Sequence, residues 1–160
     1  MKLYKAMIWA LLTLVACADD KRVFEKNTDL EHTQWLAANA PVFEFVIDDV
    51  NTSYNLYCNI RNEVSYPKAN IYFNYKLTDA NGKALEQKLI SRFLFDKKTG
   101  EPFGSSALGD IYDHQVPVSS SYKFLKPGVY RATFTQYMRM DTLPGILAVG
   151  LRVEHAATKP

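Results

Sequence analysis

The chain has little cysteine, little charge imbalance and no apolar run long enough to cross a bilayer. Two cysteines in 160 residues, Cys17 and Cys58, cannot build a disulfide scaffold or a four-thiolate zinc site. A formal net charge of +2 gives no electrostatic footprint of a nucleic-acid binder, so no nucleic acid is expected as a partner. Motifs that carry chemistry are equally sparse. His32, His114 and His155 stand at no zinc-site spacing, and there is no His-Glu-x-x-His. Gly104-Ser105-Ser106-Ala107-Leu108 lacks the final glycine of a nucleophile elbow, and no glycine-rich phosphate loop is present. Asp110 and Asp113 with His114 come nearest to a cluster, but two aspartates fall short of the six or more ligands that calcium takes. No catalytic residue, cofactor or metal is assigned on these grounds, and the chain is not expected to be an enzyme.

What is present points to a folded β domain. Hydrophobic residues make up 48% and charged residues 22%, which excludes a mostly disordered chain. Aromatics reach 13%, with ten tyrosines and nine phenylalanines, a bias toward strands.

The N-terminus reads as an address. Lys2 and Lys5 precede the uncharged run Ala6–Ala16, the length of a signal-peptide apolar region and well short of a membrane span. The run ends in Leu14-Val15-Ala16-Cys17, which resembles the bacterial lipobox. That resemblance implies cleavage before Cys17, lipidation of its thiol and acylation of its new amine. Cleavage removes two lysines, so the formal charge falls to zero. Two or three acyl chains make anchoring stable, at about 0.8 kcal/mol per buried methylene. Three segments follow: a lipoprotein signal peptide over 1–16, a lipidated cysteine with tether and lead-in over 17–40, and a β-sandwich over 41–160.

Alternation dominates beyond residue 40. Val42 to Asp48 is apolar on both faces and is expected to be a central strand. Leu56-Cys58-Ile60 alternates with Tyr57-Asn59-Arg61, and Ile71-Phe73-Tyr75-Leu77 with Asn70-Tyr72-Asn74-Lys76. Asn81-Gly82 turns the chain into a second arm, Leu85 to Phe95. Phe103 to Val116 reads as irregular. Further strands are expected over 118–124, 130–135 and 147–153. The fold class is therefore all-β, an antiparallel β-sandwich (jelly-roll or immunoglobulin-like) of about seven or eight strands. Cys58 falls on an apolar strand face, as a small buried hydrophobe does.

One surface stands out. If the two clearest strands pair, Tyr57, Asn59 and Arg61 join Asn70, Tyr72 and Asn74 in one solvent-facing patch. Aromatics and arginine are enriched at interfaces, and Tyr with Asn also suits glycan binding. The same residues equally make an ordinary wet sheet face whose side chains pair across strands.

Several blocks in order resemble the gliding motility lipoprotein GldH family. They are Tyr54-Asn55-Leu56, Asn59-Ile60-Arg61-Asn62, Tyr66-Pro67, Asn70-Ile71-Tyr72, Gly109-Asp110-Ile111, Gln136-Tyr137-Met138-Arg139 and Leu143-Pro144-Gly145-Ile146 through Val149-Gly150-Leu151-Arg152-Val153-Glu154. The resemblance covers nearly the whole mature chain. It implies a Bacteroidota outer-membrane lipoprotein that accompanies the gliding apparatus and its associated type IX secretion system, with other envelope proteins as partners. Ala18 in place of an inner-membrane retention signal agrees with the outer membrane. Asp19-Asp20 resembles the acidic surface-export signal of such lipoproteins, or is simply a solvated tether. Of the matching residues, Gly109 and Gly150 suit special backbone or close chain approach. Arg61 and Arg152 suit planar anchoring of a partner's carboxylates or carbonyls, or the tying of neighbouring strands. Asn62, Asp110, Met138 and Arg139 have no role assigned.

Overall fold

The two clearest alternations become the centres of two different sheets. A computed structural model describes residues 19–106 and 109–157. Among them are ten strands: β1 (Arg22–Asp29), β2 (Gln34–Leu36), β3 (Val42–Ile47), β4 (Tyr54–Glu63), β5 (Asn70–Asp79), β6 (Ala84–Phe93), β7 (Ile111–Tyr122), β8 (Gly128–Gln136), β9 (Thr142–Pro144) and β10 (Ile146–His155). A 3-10 turn, Glu31–Thr33, is the one helical element among the described residues. The first sheet runs β1-β10-β4-β7 and the second β3-β8-β5-β6, with β2 and β9 forming a small third sheet. Every pairing is antiparallel. The all-β sandwich expected from the sequence is the fold, with more strands than the sequence suggested.

The core lies between the two large sheets. Leu56, Cys58 and Ile60 of β4 face Ile71, Phe73, Tyr75 and Leu77 of β5 across it, joined by Val149, Leu151 and Val153 of β10. Phe134 of β8 is its aromatic centre, with Phe43, Phe73 and Tyr75 rings at 5.9 Å. Burial of residues like these, at about 25 cal/mol per Å² of apolar surface, is what drives the two sheets together.

Three expectations need correction. β3 is not central: it is an edge strand, because Val42 and Val46 face solvent on either side of an outward Glu44. The stretch 103–116 is not irregular throughout, since β7 begins at Ile111. Pro117 takes an outward position between buried Val116 and Val118, and β7 is an edge strand, where proline is tolerated. The lead-in to residue 40 is not all tether. Residues 22–29 pair along β10, and Leu30 and Trp35 are buried in the core. The Trp35 indole N–H donates to the Asn39 carbonyl at 3.0 Å, so the large ring is buried with its polar atom satisfied.

The connections sort to two ends. The start of β1, the end of β10 and the β3–β4, β5–β6 and β7–β8 turns share one end. The β4–β5, β6–β7 and β8–β9 connections share the other. Ten-residue strands such as β4 set these ends about 33 Å apart. At the first end Gly82 takes φ +83 in the expected turn, and Asp79 Oδ1 accepts the N–H groups of Asn81 and Lys83.

Candidate functional site

The outer face of the first sheet gathers Tyr57, Asn59 and Arg61 with residues of three neighbouring strands. Arg61 donates to both oxygens of Asp113 on β7, at 2.7 and 3.1 Å. The Asn59 amide donates to Glu25 at 2.9 Å and Asn27 at 3.2 Å, both on β1. Between them, on β10, Arg152 donates to Glu25 at 2.8 Å, to Glu154 and to Asp19. Gly150 is the residue that lets β1 and β4 communicate over β10. A Cβ there would lie 1.8 Å from Asn27 Oδ1 and 2.7 Å from the Lys26 carbonyl. Its absence leaves room for the Asn27 side chain to cross β10 toward Asn59.

This face holds a cavity of about 430 Å³ whose lining includes Glu25, Asn27, Asn59, Arg61, Asp113 and Gln115. Its acids are already paired, Glu25 with Asn59 and Arg152 and Asp113 with Arg61. The hydrogen bond from Arg152 holds Asp19 below the ordinary aspartate range. Partial burial opposes ionisation of Glu25, and hydrogen bonds from Asn59, Arg22 and Arg152 overcome it, keeping that carboxyl low as well. Carboxylates held this way are poor proton donors. Arg61 and Arg152 tie strands to one another, which is the second of the two roles their chemistry allowed.

Asn70, Tyr72 and Asn74 lie elsewhere. β4 pairs with β10 and β7, whereas β5 pairs with β6 and β8, so the single six-residue patch does not exist. Its two halves occupy the opposite outer faces of the sandwich. The reason is the connection over residues 64–69, which carries the chain from one sheet to the other instead of turning back as a hairpin.

On its own face, Tyr72 belongs to an apolar groove of about 560 Å³. Its lining is Lys68, Tyr72, Leu89, Tyr137, Met138, Arg139 and Met140. Leu89 and Tyr137 keep 54% and 62% of their surface exposed, high for residues of this size. The β8–β9 connection supplies half the groove and is held from beneath. Gln136 is buried, accepts the Met138 N–H at 2.8 Å and donates to the Met140 carbonyl at 2.8 Å. Tyr137 N–H donates to the Tyr72 carbonyl at 2.8 Å, and the Tyr72 N–H rests on Met138 Sδ at 3.2 Å. The structure thus brings together Tyr72, Met138 and Arg139 from two separate sequence blocks. The sequence reading missed Lys68, Leu89 and Met140. The available signal was Gln136, a polar residue at an inward position after Tyr130, Ala132 and Phe134.

The remaining singled-out residues scatter. Asn62 is fully buried at the end of β4, donating to the Glu63 carbonyl at 2.9 Å. Gly109 takes φ +72 in open space, and the Asp110 carbonyl accepts the Val64 N–H at 2.8 Å. Asp110, Asp113 and His114 do not converge: Asp113 faces outward to Arg61, and His114 is turned inward and buried. Among the described residues no group of three or more His, Cys, Asp or Glu side chains is placed to hold a metal ion. Burial pushes the Cys58 thiol well up, as befits a core residue. Cys17 lies outside the described residues.

Two outcomes follow. Gly150→Ala should lower the urea unfolding free energy by about 1–3 kcal/mol through overpacking, and adding Asn27→Ala should recover part of that loss. Full stability in Gly150→Ala would mean the seam is looser than described. The second outcome concerns pH. Burial pulls the His114 imidazole from 6.5 to about 4, so the unfolded chain takes up a proton the folded chain refuses. Stability is therefore intact above about pH 6.5 and falls as the pH drops toward 4. Between pH 7 and pH 5 the loss should reach about 2 kcal/mol, and His114→Leu should abolish most of it.

Known proteins resemble the chain along most of its length. The family model for the GldH lipoprotein matches residues 22–153. A gliding motility lipoprotein GldH homolog of Christiangramia forsetii is 27% identical over 154 residues, covering 92% of this chain and 91% of that protein. The gliding motility lipoprotein GldH of Flavobacterium johnsoniae is 24% identical over 155 residues, covering 92% and 93%. Among solved structures, the infectious bursal disease virus VP2 subviral particle aligns at a TM-score of 0.38 and 10% identity, over 89% of this chain. This chain spans about a third of that VP2 chain, 32%, and a likeness so weak carries no argument. The earlier resemblance holds on independent grounds: with 132 consecutive positions inside the family model, this chain belongs to the GldH lipoprotein family.

Proposed function

We propose that this chain is a non-enzymatic, outer-membrane lipoprotein, anchored through acyl chains on Cys17, that serves as a component of an envelope machinery of the gliding motility and type IX secretion kind. Its relatives carry the name of gliding motility lipoproteins, and among the described residues no helix is long and apolar enough to cross a membrane. The observation that carries the reading is the groove on the second sheet. It unites two family blocks, and its exposed tyrosine rings and leucine with half-buried thioethers are the composition of a protein-docking surface. Methionines 138 and 140 add adaptable contact area.

The occupant the groove fits is an apolar segment of another envelope protein that carries acidic side chains. Lys68 and Arg139 are the charged residues of the lining, and no carboxylate is among them. An acidic flank would meet them, which favours orientation and encounter rate more than raw affinity. The single Tyr and Asn face that suited a glycan is divided between the two sheets, which favours the groove.

A photo-crosslinking amino acid at Tyr137 in the full chain tests this in living cells. The expected result is one discrete adduct to an envelope protein, with Asp or Glu beside the cross-linked position. Arg139→Glu with Lys68→Glu should cut its yield at least about tenfold, since charge reversal places like charges across the contact. An adduct indifferent to both substitutions, or no adduct, overturns the groove as the docking site.

A further inference from the structure

We propose that the β7–β8 turn seats on the lipid surface, with Leu125 in the membrane interface, so that the sandwich stands end-on and the groove faces away from the bilayer. The inference rests on the lipid anchor at Cys17.

The first observation is reach. Asp19 is the second residue after Cys17 and is docked on Arg152. The Arg22 N–H donates to the Asp19 carbonyl at 3.0 Å, and the His155 N–H to the Lys21 carbonyl at 2.8 Å. A chain covers at most about 3.6 Å per residue, so the Cys17 Cα lies within about 7 Å of that of Asp19. No long tether separates lipid from fold, and the end of the sandwich at which β1 begins is held close to the bilayer.

The second observation is what that end presents. The β7–β8 turn, residues 123–127, shares it. Across β1-β10-β4-β7 three strand spacings of about 4.8 Å put the turn roughly 15 Å from the start of β1. Leu125 at its tip is 90% exposed, while Phe124 beside it is 3% exposed. The Phe124 ring is fixed among Tyr130, Tyr122, Tyr54 and Phe45, with centroids at 4.4, 4.8, 5.5 and 6.0 Å. The Tyr130 hydroxyl donates to the Lys126 carbonyl at 2.6 Å. The turn is thus built to hold Leu125 outward. A single exposed leucine needs no account by itself. This one sits at the anchored end, on a braced turn, between Lys123 and Lys126. An apolar tip flanked by ammonium groups suits the boundary of acyl chains and phosphates, where lysines reach back to the headgroups.

The test uses the full lipidated chain in vesicles of phosphatidylethanolamine and phosphatidylglycerol. Intact mass on Cys17 reports the anchor separately. An environment-sensitive fluorophore is placed on Leu125→Cys or, at the opposite end, on Val64→Cys, with the buried Cys58 left unlabelled. The expected result is a several-fold rise in emission and quenching by brominated lipid at position 125 and not at 64. A lipidated chain whose label at 125 stays in water, like that at 64, overturns the end-on seating and leaves the anchor standing. A chain without lipid on Cys17 overturns both.

Discussion

Arg152 is one cation facing three carboxylates, and the N-terminal part of the fold depends on it. Its side chain is only 13% exposed, so it requires partners, and it finds them on three segments: Glu154 on its own strand, Glu25 on β1 and Asp19 just before β1. The strand it secures has little else to offer the core. β1 is exposed along almost its whole length, and Phe24 alone turns partly inward against Phe45. Ladder hydrogen bonds, the space left by Gly150 and the Arg152 cluster together hold it. With β1 in place, Leu30 and Trp35 are delivered into the core at the far end, where Trp35 meets Phe73.

The two outer faces have different chemistry. On the first sheet, charges neutralise one another across strands, as in Arg61 with Asp113 and Arg152 with its three acids. On the second, Arg131 is paired with Glu44, but the groove end keeps Lys68 and Arg139 beside exposed aromatic and half-buried sulfur-containing side chains. Ion pairs exposed on a surface contribute little stability each, whereas a hydrophobic patch left open is a standing invitation to a partner. With the proposed anchor at one end and the proposed docking groove toward the other, a single small sandwich would hold a membrane on one side and a protein on the other.

Much of this was legible in the sequence, and the limits have physical causes. β4 and β5 were readable because each buries one face completely, which forces strict alternation of period two. β1 and β6 were hard to read because edge strands solvated on both faces carry no such constraint. β6 was caught through its turn, whose Asn81-Gly82 pair is a local signal, and β1 has no comparable neighbour. Which strands pair is a nonlocal property. The residues of β4 and β5 say that each has a wet face, and nothing in them says that those faces point in opposite directions. The groove was half visible for the same reason: Tyr72 and the block at 136–139 each stood out, but their meeting depends on β5 and β8 being neighbours.

The central claim is that the N-terminal segment is a structural strand of the sandwich and not a tether. Amide hydrogen exchange of the full chain at residues 22–29 tests it directly, since local opening sets how fast each hydrogen-bonded amide exchanges. Protection of the β1 amides paired with β10, rising and falling together with that of Asn59 and Gly150, is the predicted result. Exchange across 22–29 at the rate of an unfolded peptide, with β10 still protected from the β4 side, would contradict it.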